Sequence, residues 1–405
     1  MAPARKEFLD VYPLRGLALA AAVLGACIAP LLPIEHLQPD SLAFQALARS
    51  ILAGSGLHYQ EPLIPGLELF AFRAPGYPVF LAFALALGGV TGVLILQGAL
   101  NGLSAALTGA VAFELAGARA AWIAFALRLA WPAGWQHASV VESEILYETL
   151  TILATWLVLV GVRRKRVGSA LLAGVLTAAA ILVRPVGLGL AGAFALWLLF
   201  RQPGAAVAFG LAVLLAWAPW PIRNARVLHA FVPFTTNGGA TAWAGTTDGQ
   251  VRPAYDWMGQ NVERGELGFD RHYRALSLER IREHPAHVAR LTARRAFIYL
   301  GPIRGRAPDL WLHRFAMLAA LAALLLGGWR SRLLLPGLIW LGQGAMLVPV
   351  YLIDRYRFPT EWCVIVAAGI GLVGLAERWG PRRAALAAGG ALLLCLAGSL
   401  ALAAR

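Results

Sequence analysis

Residues 73–116 read RAPGYPVFLAFALALGGVTGVLILQGALNGLSAALTGAVAFELA. Between Arg73 and Glu114 no residue is charged, and the run is far longer than the roughly 20 residues that cross a bilayer. Pro75 and Pro78 open it and Gly88-Gly89 interrupt it. Whether it is one span, or a short helix followed by a span, decides which side of a membrane everything downstream occupies.

Apolar runs of similar character recur from Leu14 to Ala404. In the whole chain of 405 residues, 59% are hydrophobic and only 14% charged. These runs are continuous and lack the alternation of barrel strands, and backbone groups in hydrocarbon must be satisfied internally, so the spans are helices. The net charge of +14 does not point to nucleic acid. The cations cluster at the ends of apolar runs, as in cytoplasmic loops. Nearly all are arginine, with only Lys6 and Lys165 as lysines, so a single arginine is a weak signal. Cys27, Cys363 and Cys395 lie in apolar runs and read as small core residues. The first apolar run has no small-residue cleavage site and reads as a retained anchor.

Charge fixes the sides. Arg5, Lys6 and Arg15 precede the first span, residues 14–32, and place the N-terminus in the cytoplasm. Residues 34–92 then form the first outer stretch, in which Phe44, Leu47 and Ile51 share one helical face suited to a membrane surface. If residues 75–89, 94–116 and 120–136 all crossed, Arg163-Arg164-Lys165-Arg166 would fall outside. One of the three therefore does not cross. Residues 75–89 are the shortest and the best candidate for a juxtamembrane or re-entrant helix; 120–136 is the alternative. The expected architecture is an all-α polytopic membrane protein of about eleven transmembrane helices, juxtamembrane helices and an extracytoplasmic loop region. Residues 1–222 form an N-terminal transmembrane module, 223–308 the outer region and 309–405 the C-terminal helices. Residues 277–284 and 287–299 read as helices, the second amphipathic. No internal repeat is visible.

In this topology Asp40, Glu61, Arg73, Glu142, Glu144, Arg184, Arg223, Asn224, Asp354, Arg355 and Arg357 collect on the outer face. Asp40 opens a helix, where a carboxylate serves as an N-cap or as a general base. Glu142 and Glu144 suit the start of a helix by its dipole, or a divalent cation. Oxygen ligands point to Mg²⁺ or Mn²⁺, and His36, His58 and His137 leave Zn²⁺ open. Arg73, Arg223 and Arg357 are candidates to clamp a phosphate, against the plainer role of interfacial snorkelling. Arg128, deep in an apolar run, needs a partner that no spacing identifies.

Taken in order, several short pieces resemble the GT-C membrane glycosyltransferases, in particular the dolichyl-phosphate-mannose–protein mannosyltransferase and lipid A aminoarabinose transferase superfamily. They are Asp40 with Phe44 and Ala48, Arg73 to Pro78, Ser143-Glu144, Arg184-Pro185, Pro219 to Asn224, Thr235 to Gly239 and Arg355 to Pro359. Phe44, where members often carry tyrosine, and Glu144, where aspartate is commoner in one branch, depart from the pattern.

The resemblance implies an inverting glycosyltransferase using a polyprenyl-phosphate sugar donor and a lipid, glycan or protein acceptor. It would lie among membrane lipids of a bacterial inner membrane, with its site on the periplasmic or extracellular face. Asp40 matches the catalytic carboxylate and Glu144 the second acidic position, with Glu144 a tentative metal ligand. Arg73, Arg223 and Arg357 would hold the donor phosphate, and Tyr77, Asn224 and Asn237 would position substrate. Trp243, Tyr255 and Trp257 suit sugar stacking, a lipid groove or ordinary packing. Two other readings stay open: a lipid-linked sugar flippase, and an oligosaccharide polymerase or ligase using arginines in residues 264–306.

Overall fold

The computed structural model describes residues 3–32, 39–249, 252–301, 307–326, 330–350 and 354–403; His36 lies outside them, and the side chain of Asp354 is likewise not described. The regular structure of the described residues is helical except for the two-residue strands Tyr59–Gln60 and Glu68–Leu69, which pair antiparallel with Tyr59 opposite Leu69.

Among the described residues four helical stretches are long and apolar enough to cross a membrane: Gly76–Ala116, Glu144–Arg163, Pro203–Leu228 and Arg355–Trp379. Shorter apolar helices are Gly16–Leu31, Val167–Val183, Gly187–Arg201 and Trp311–Leu325. Their packed faces meet in one large core, with Val111, Ile152, Phe194, Phe209, Phe315 and Ile365 among its members. The opposite faces stay apolar and exposed. On Pro203–Trp217, Val207, Leu211, Leu214 and Leu215 lie outward at helical spacing. Water would penalise such a stripe, whereas lipid does not.

Gly76–Ala116 is not one rod. Gly88 has φ −174° and ψ 31°, and Gly89 has φ +59° and ψ −148°, a left-handed region open to glycine at no steric cost. A β-carbon on Gly92 would come within 2.6 Å of the carbonyl oxygen of Ala84, although eight helical residues span about 12 Å. The Tyr77 hydroxyl likewise reaches Gln97 Oε1 at 2.7 Å. The chain therefore reverses at Gly88-Gly89. The arm 76–87 rises only about 18 Å, short of a hydrocarbon core of about 30 Å. The expected span at 120–136 is also divided: Ala118–Leu129 ends, Trp131 is extended, and Pro132–Ala138 begins a new helix. Pro132 has no N–H to continue the ladder.

Small residues set the first helix against this hairpin. A side chain on Gly98 would strike the backbone of Gly25, and one on Gly102 the backbone of Ala21. Small residues four apart on both helices allow that approach.

The apolar face of Pro39–Leu52, which its amphipathicity offers to a membrane surface, is covered by protein. Ala43 and Leu47 pack into a second core with Tyr59, Leu69, Phe72, Met258 and Phe269. Phe44 and Ala48 pack on Tyr77 and Leu81 of the hairpin arm. The helix is thus held between the hairpin and a cap made of Gly238–Thr246, Arg252–Gln260 and Gly265–Glu283. Pro285–Leu300 also has a buried face, carrying Leu291, Arg295 and Tyr299. Arg295 donates to the carbonyls of Val348, Pro349 and Val350 and to that of Gly245. It thereby satisfies acceptors left free beyond Arg330–Leu347.

Candidate active site

A cavity of about 340 Å³ lies where the hairpin, the cap and the ends of the apolar helices meet. Its lining includes the apolar side chains of Phe44, Val183, Val186, Met346, Leu347 and Val350. It also carries Asp40, Arg73, Arg184, Arg355, Thr235 and Asn237. A lining of this mixed character suits a ligand with an apolar tail and an anionic, hydroxylated head.

The polar part is a connected ion-pair network. Arg73 Nη2 lies 2.7 Å from Asp40 Oδ1, and Arg355 Nη2 donates to Asp40 Oδ2. Arg355 Nη1 donates to Glu142 Oε1 at 2.6 Å, and its Nε lies 3.2 Å from Glu144 Oε1. Arg184 Nη1 donates to the same Glu144 oxygen at 2.6 Å and to Ser143 Oγ at 3.0 Å. His137 Nδ1 meets Glu142 Oε2 at 3.2 Å. Arg184 and Arg355 both lie over the Tyr356 ring, at 5.0 and 5.2 Å. Three guanidinium groups thus face three carboxylates. Burial alone would raise the Asp40 carboxyl, but Arg73 and Arg355 outweigh it and hold the group well below the usual carboxylate range.

The loop that presents Arg73 is fixed from behind. Glu266 accepts the backbone N–H groups of Phe70 and Ala71 and the Thr236 hydroxyl. Arg223 donates to the carbonyls of Phe70 at 2.7 Å and Leu57 at 2.6 Å. The Thr236 N–H donates to the Ala71 carbonyl at 3.0 Å, so the Arg73 loop and the loop carrying Asn237 are held side by side. Arg184 follows the last residue of Val167–Val183 in extended conformation. Arg355 sits on the single turn Asp354–Arg357.

Of the residues expected at the site, Asp40, Glu144, Arg73 and Asn237 are in or against the network. The others are elsewhere. Arg223 is occupied by the two carbonyls just described, and Asn224 is buried with its amide on the Val232 carbonyl. Arg357 pairs with Glu361 at 3.1 Å and donates to the carbonyls of Ile298 and Gly301. Tyr77 is fully buried, its hydroxyl spent on Gln97. The placement has a local cause. Two residues apart on a helical turn, Arg355 and Arg357 point about 200° apart, so only one faces the cavity. Arg184, which a helix-ending Arg-Pro signals, and Arg355 line the cavity, whereas Arg223 and Arg357 do not.

The aromatics of the cap are packing groups. Trp257 stacks on His272 at 4.1 Å and Trp243 meets Tyr273 edge-on; the Tyr255 hydroxyl oxygen accepts from Arg73 Nη2 at 3.5 Å. Arg128, whose partner could not be read from spacing, pairs with Glu148 and donates to Asn101 Oδ1 at 3.0 Å, with both ion-pair members almost fully buried. Glu148 lies one helical turn beyond Glu144, which is the sequence signal for it.

Among the described residues no three His, Cys, Asp or Glu side chains stand together as a ligand group. As arranged, both Glu142 oxygens and both Asp40 oxygens are paired with Arg355, His137 or Arg73. Glu144 Oε2, buried without a partner, is the oxygen of these three carboxylates left open to a cation.

No model of a protein family matches the sequence, and no curated protein does. Among solved structures, the archaeal oligosaccharyltransferase AglB from Archaeoglobus fulgidus matches over 95% of this chain. The TM-score is 0.57 at 14% identity for its complex with an inhibitory peptide and a dolichol-phosphate. For its complex with Zn and sulfate the TM-score is 0.58, also at 14% identity. The chain spans about half of AglB, 54% and 53% in the two structures. ArnT from Cupriavidus metallidurans bound to undecaprenyl phosphate matches over 91% of this chain and 78% of its own, with a TM-score of 0.41 and 14% identity. The likeness to AglB is one of fold: this chain shares its helical architecture.

Proposed function

We propose that this chain is an inverting glycosyltransferase that takes a sugar from a polyprenyl-phosphate carrier at the extracytoplasmic face of a membrane. The observation that carries the reading is the cavity in which Asp40 and three arginines share one lining with apolar side chains. The polyprenyl tail lies along Val183, Val186, Met346 and Leu347, and the phosphate lies among Arg73, Arg184 and Arg355. An oligosaccharyltransferase with a dolichol-phosphate in its structure has the same fold, which supports the donor class.

The reaction is one displacement at the anomeric carbon. The acceptor hydroxyl or amine forms the new bond as the bond from that carbon to the phosphate oxygen breaks, with inversion. Asp40 takes the acceptor proton, and the electron pair leaves on the phosphate. Phosphate needs no acid to depart when guanidinium groups stabilise the charge it gains. Among the described residues of 264–301 none lines this cavity, which disfavours a ligase that draws its arginines from that segment.

The test is transfer of labelled sugar from a polyprenyl-phosphate donor by membranes carrying the native chain or Asp40→Asn. Loss of transfer with intact folding is expected. Retained turnover in a folded Asp40→Asn protein would remove Asp40 as the base.

A further inference from the structure

The network sets a difficulty for its own base. A carboxylate that grips two guanidinium groups is a weak proton acceptor, since the ideal base has a pKa near the working pH. Yet Arg73 and Arg355, which grip it, line the cavity together with Arg184. Arg73 Nε is buried without a hydrogen-bond partner, as is Glu144 Oε2, and Arg355 Nε meets Glu144 Oε1 at 3.2 Å without hydrogen-bond geometry. The network is therefore charge-balanced but incompletely bonded, with donor capacity left on the very arginines that hold Asp40. Buried donors without acceptors are costly and favour a ligand that supplies them.

Resting on the proposed transferase reading, we infer that the donor phosphate and Asp40 compete for Arg73 and Arg355, so that donor binding frees Asp40 and makes it a base. In the donor-free enzyme, Asp40 neutralises the two cations in the phosphate's absence. When the phosphodiester enters, the guanidinium groups turn their planar donor edges to its oxygens, which match that geometry. Asp40 loses two positive neighbours, gains a negative one, and its affinity for a proton rises. The base is thereby strengthened only in the complex where an acceptor proton is to be taken, and a free acceptor meets a weak base. Glu142, hydrogen-bonded to Arg355 at 2.6 Å, holds the same arginine from the other side and contributes to the same competition. By reciprocity, whatever donor phosphate does to Asp40, removing the Asp40 charge must do to donor phosphate.

This gives a test with a counterintuitive sign. Binding of an unglycosylated polyprenyl phosphate is measured on the purified full chain in lipid nanodiscs, for the native protein, Asp40→Asn and Glu142→Gln. Asp40→Asn is expected to bind about tenfold more tightly, within the usual range for coupled sites, although it no longer transfers sugar. Glu142→Gln is expected to bind more tightly by a smaller factor. Should Asp40→Asn fail to fold, Glu142→Gln decides alone. Equal or weaker binding in the folded variants would overturn the competition while leaving the transferase reading standing. Absence of saturable binding in all three proteins would remove the transferase reading itself.

Discussion

Arg355 and Asp40 are 315 residues apart in the chain, and one nitrogen of the former donates to one carboxylate oxygen of the latter at the cavity wall. The same guanidinium also reaches Glu142 and lies against Glu144. A single planar group thus links Pro39–Leu52, the start of Glu144–Arg163 and the turn Asp354–Arg357. It serves as the joint of the site.

Replacing Arg355 by lysine should therefore not be conservative. A point charge cannot address three carboxylates and a phosphate with a fixed fork. Arg355→Lys is expected to lower the turnover number about 10²-fold, the scale set by loss of one donor to a developing oxyanion. Steady-state transfer assays at saturating donor would check it; near-native turnover would exclude Arg355 from the clamp.

Arg223 and Arg73 make a contrasting pair. Arg73 lines the cavity, whereas Arg223 holds the carbonyls of Phe70 and Leu57 from behind. Arg73→Lys, which keeps a cation beside Asp40 but not the planar fork, should lower transfer strongly in a protein of near-native melting temperature. Arg223→Ala should lower the melting temperature through two unpaired carbonyls, at about 1–3 kcal/mol each. Thermal unfolding in detergent beside activity separates the two roles.

The pH dependence of the rate should differ between free enzyme and donor complex. Asp40 is held below its ordinary value of 3.8, so it stays ionised above that value. The stability it contributes is present above the unfolded value and is lost only as pH falls through the depressed folded one. The profile of kcat/KM, which reports free enzyme, should then show no acid limb from Asp40 above about pH 4. The profile of kcat, which reports the donor complex, should show one at higher pH. Coincident acid limbs in the two profiles would contradict release of Asp40 by the donor.

The deep pair Arg128–Glu148 should carry stability, not turnover. Glu148→Gln leaves a buried guanidinium uncompensated, at a cost of about 3–5 kcal/mol. A large fall in melting temperature is expected, with normal specific activity in the protein that remains folded.

Much of the fold was legible because hydrocarbon is an unforgiving solvent. Apolar length and the Arg163 cluster alone require a non-crossing segment, and the reversal at Gly88-Gly89 leaves 76–87 too short to cross. The break at Trp131 was not legible, since residues 120–136 keep their apolar character through it. The role of Pro39–Leu52 was misread for a related reason: amphipathicity reports an apolar face but not whether lipid or a cap covers it. The site was half legible. Asp40, Arg73 and Glu144 stand out as charges beside apolar runs. Choosing Arg355 over Arg357 requires the rotation of one helical turn, and assigning Arg223 to the loop requires knowing which carbonyls lie opposite it. Neither leaves a mark on composition or spacing.

The central claim is that a sugar leaves a polyprenyl phosphate in this cavity. Its most direct measurement is release of polyprenyl phosphate and appearance of glycosylated product by the purified chain in liposomes, given a labelled polyprenyl-phosphate sugar and an acceptor lipid extract. The account predicts equimolar release and transfer, with inverted anomeric configuration in the product, and neither in Asp40→Asn. Label that stays on the carrier, or release that is the same with Asp40→Asn as with the native chain, would contradict it.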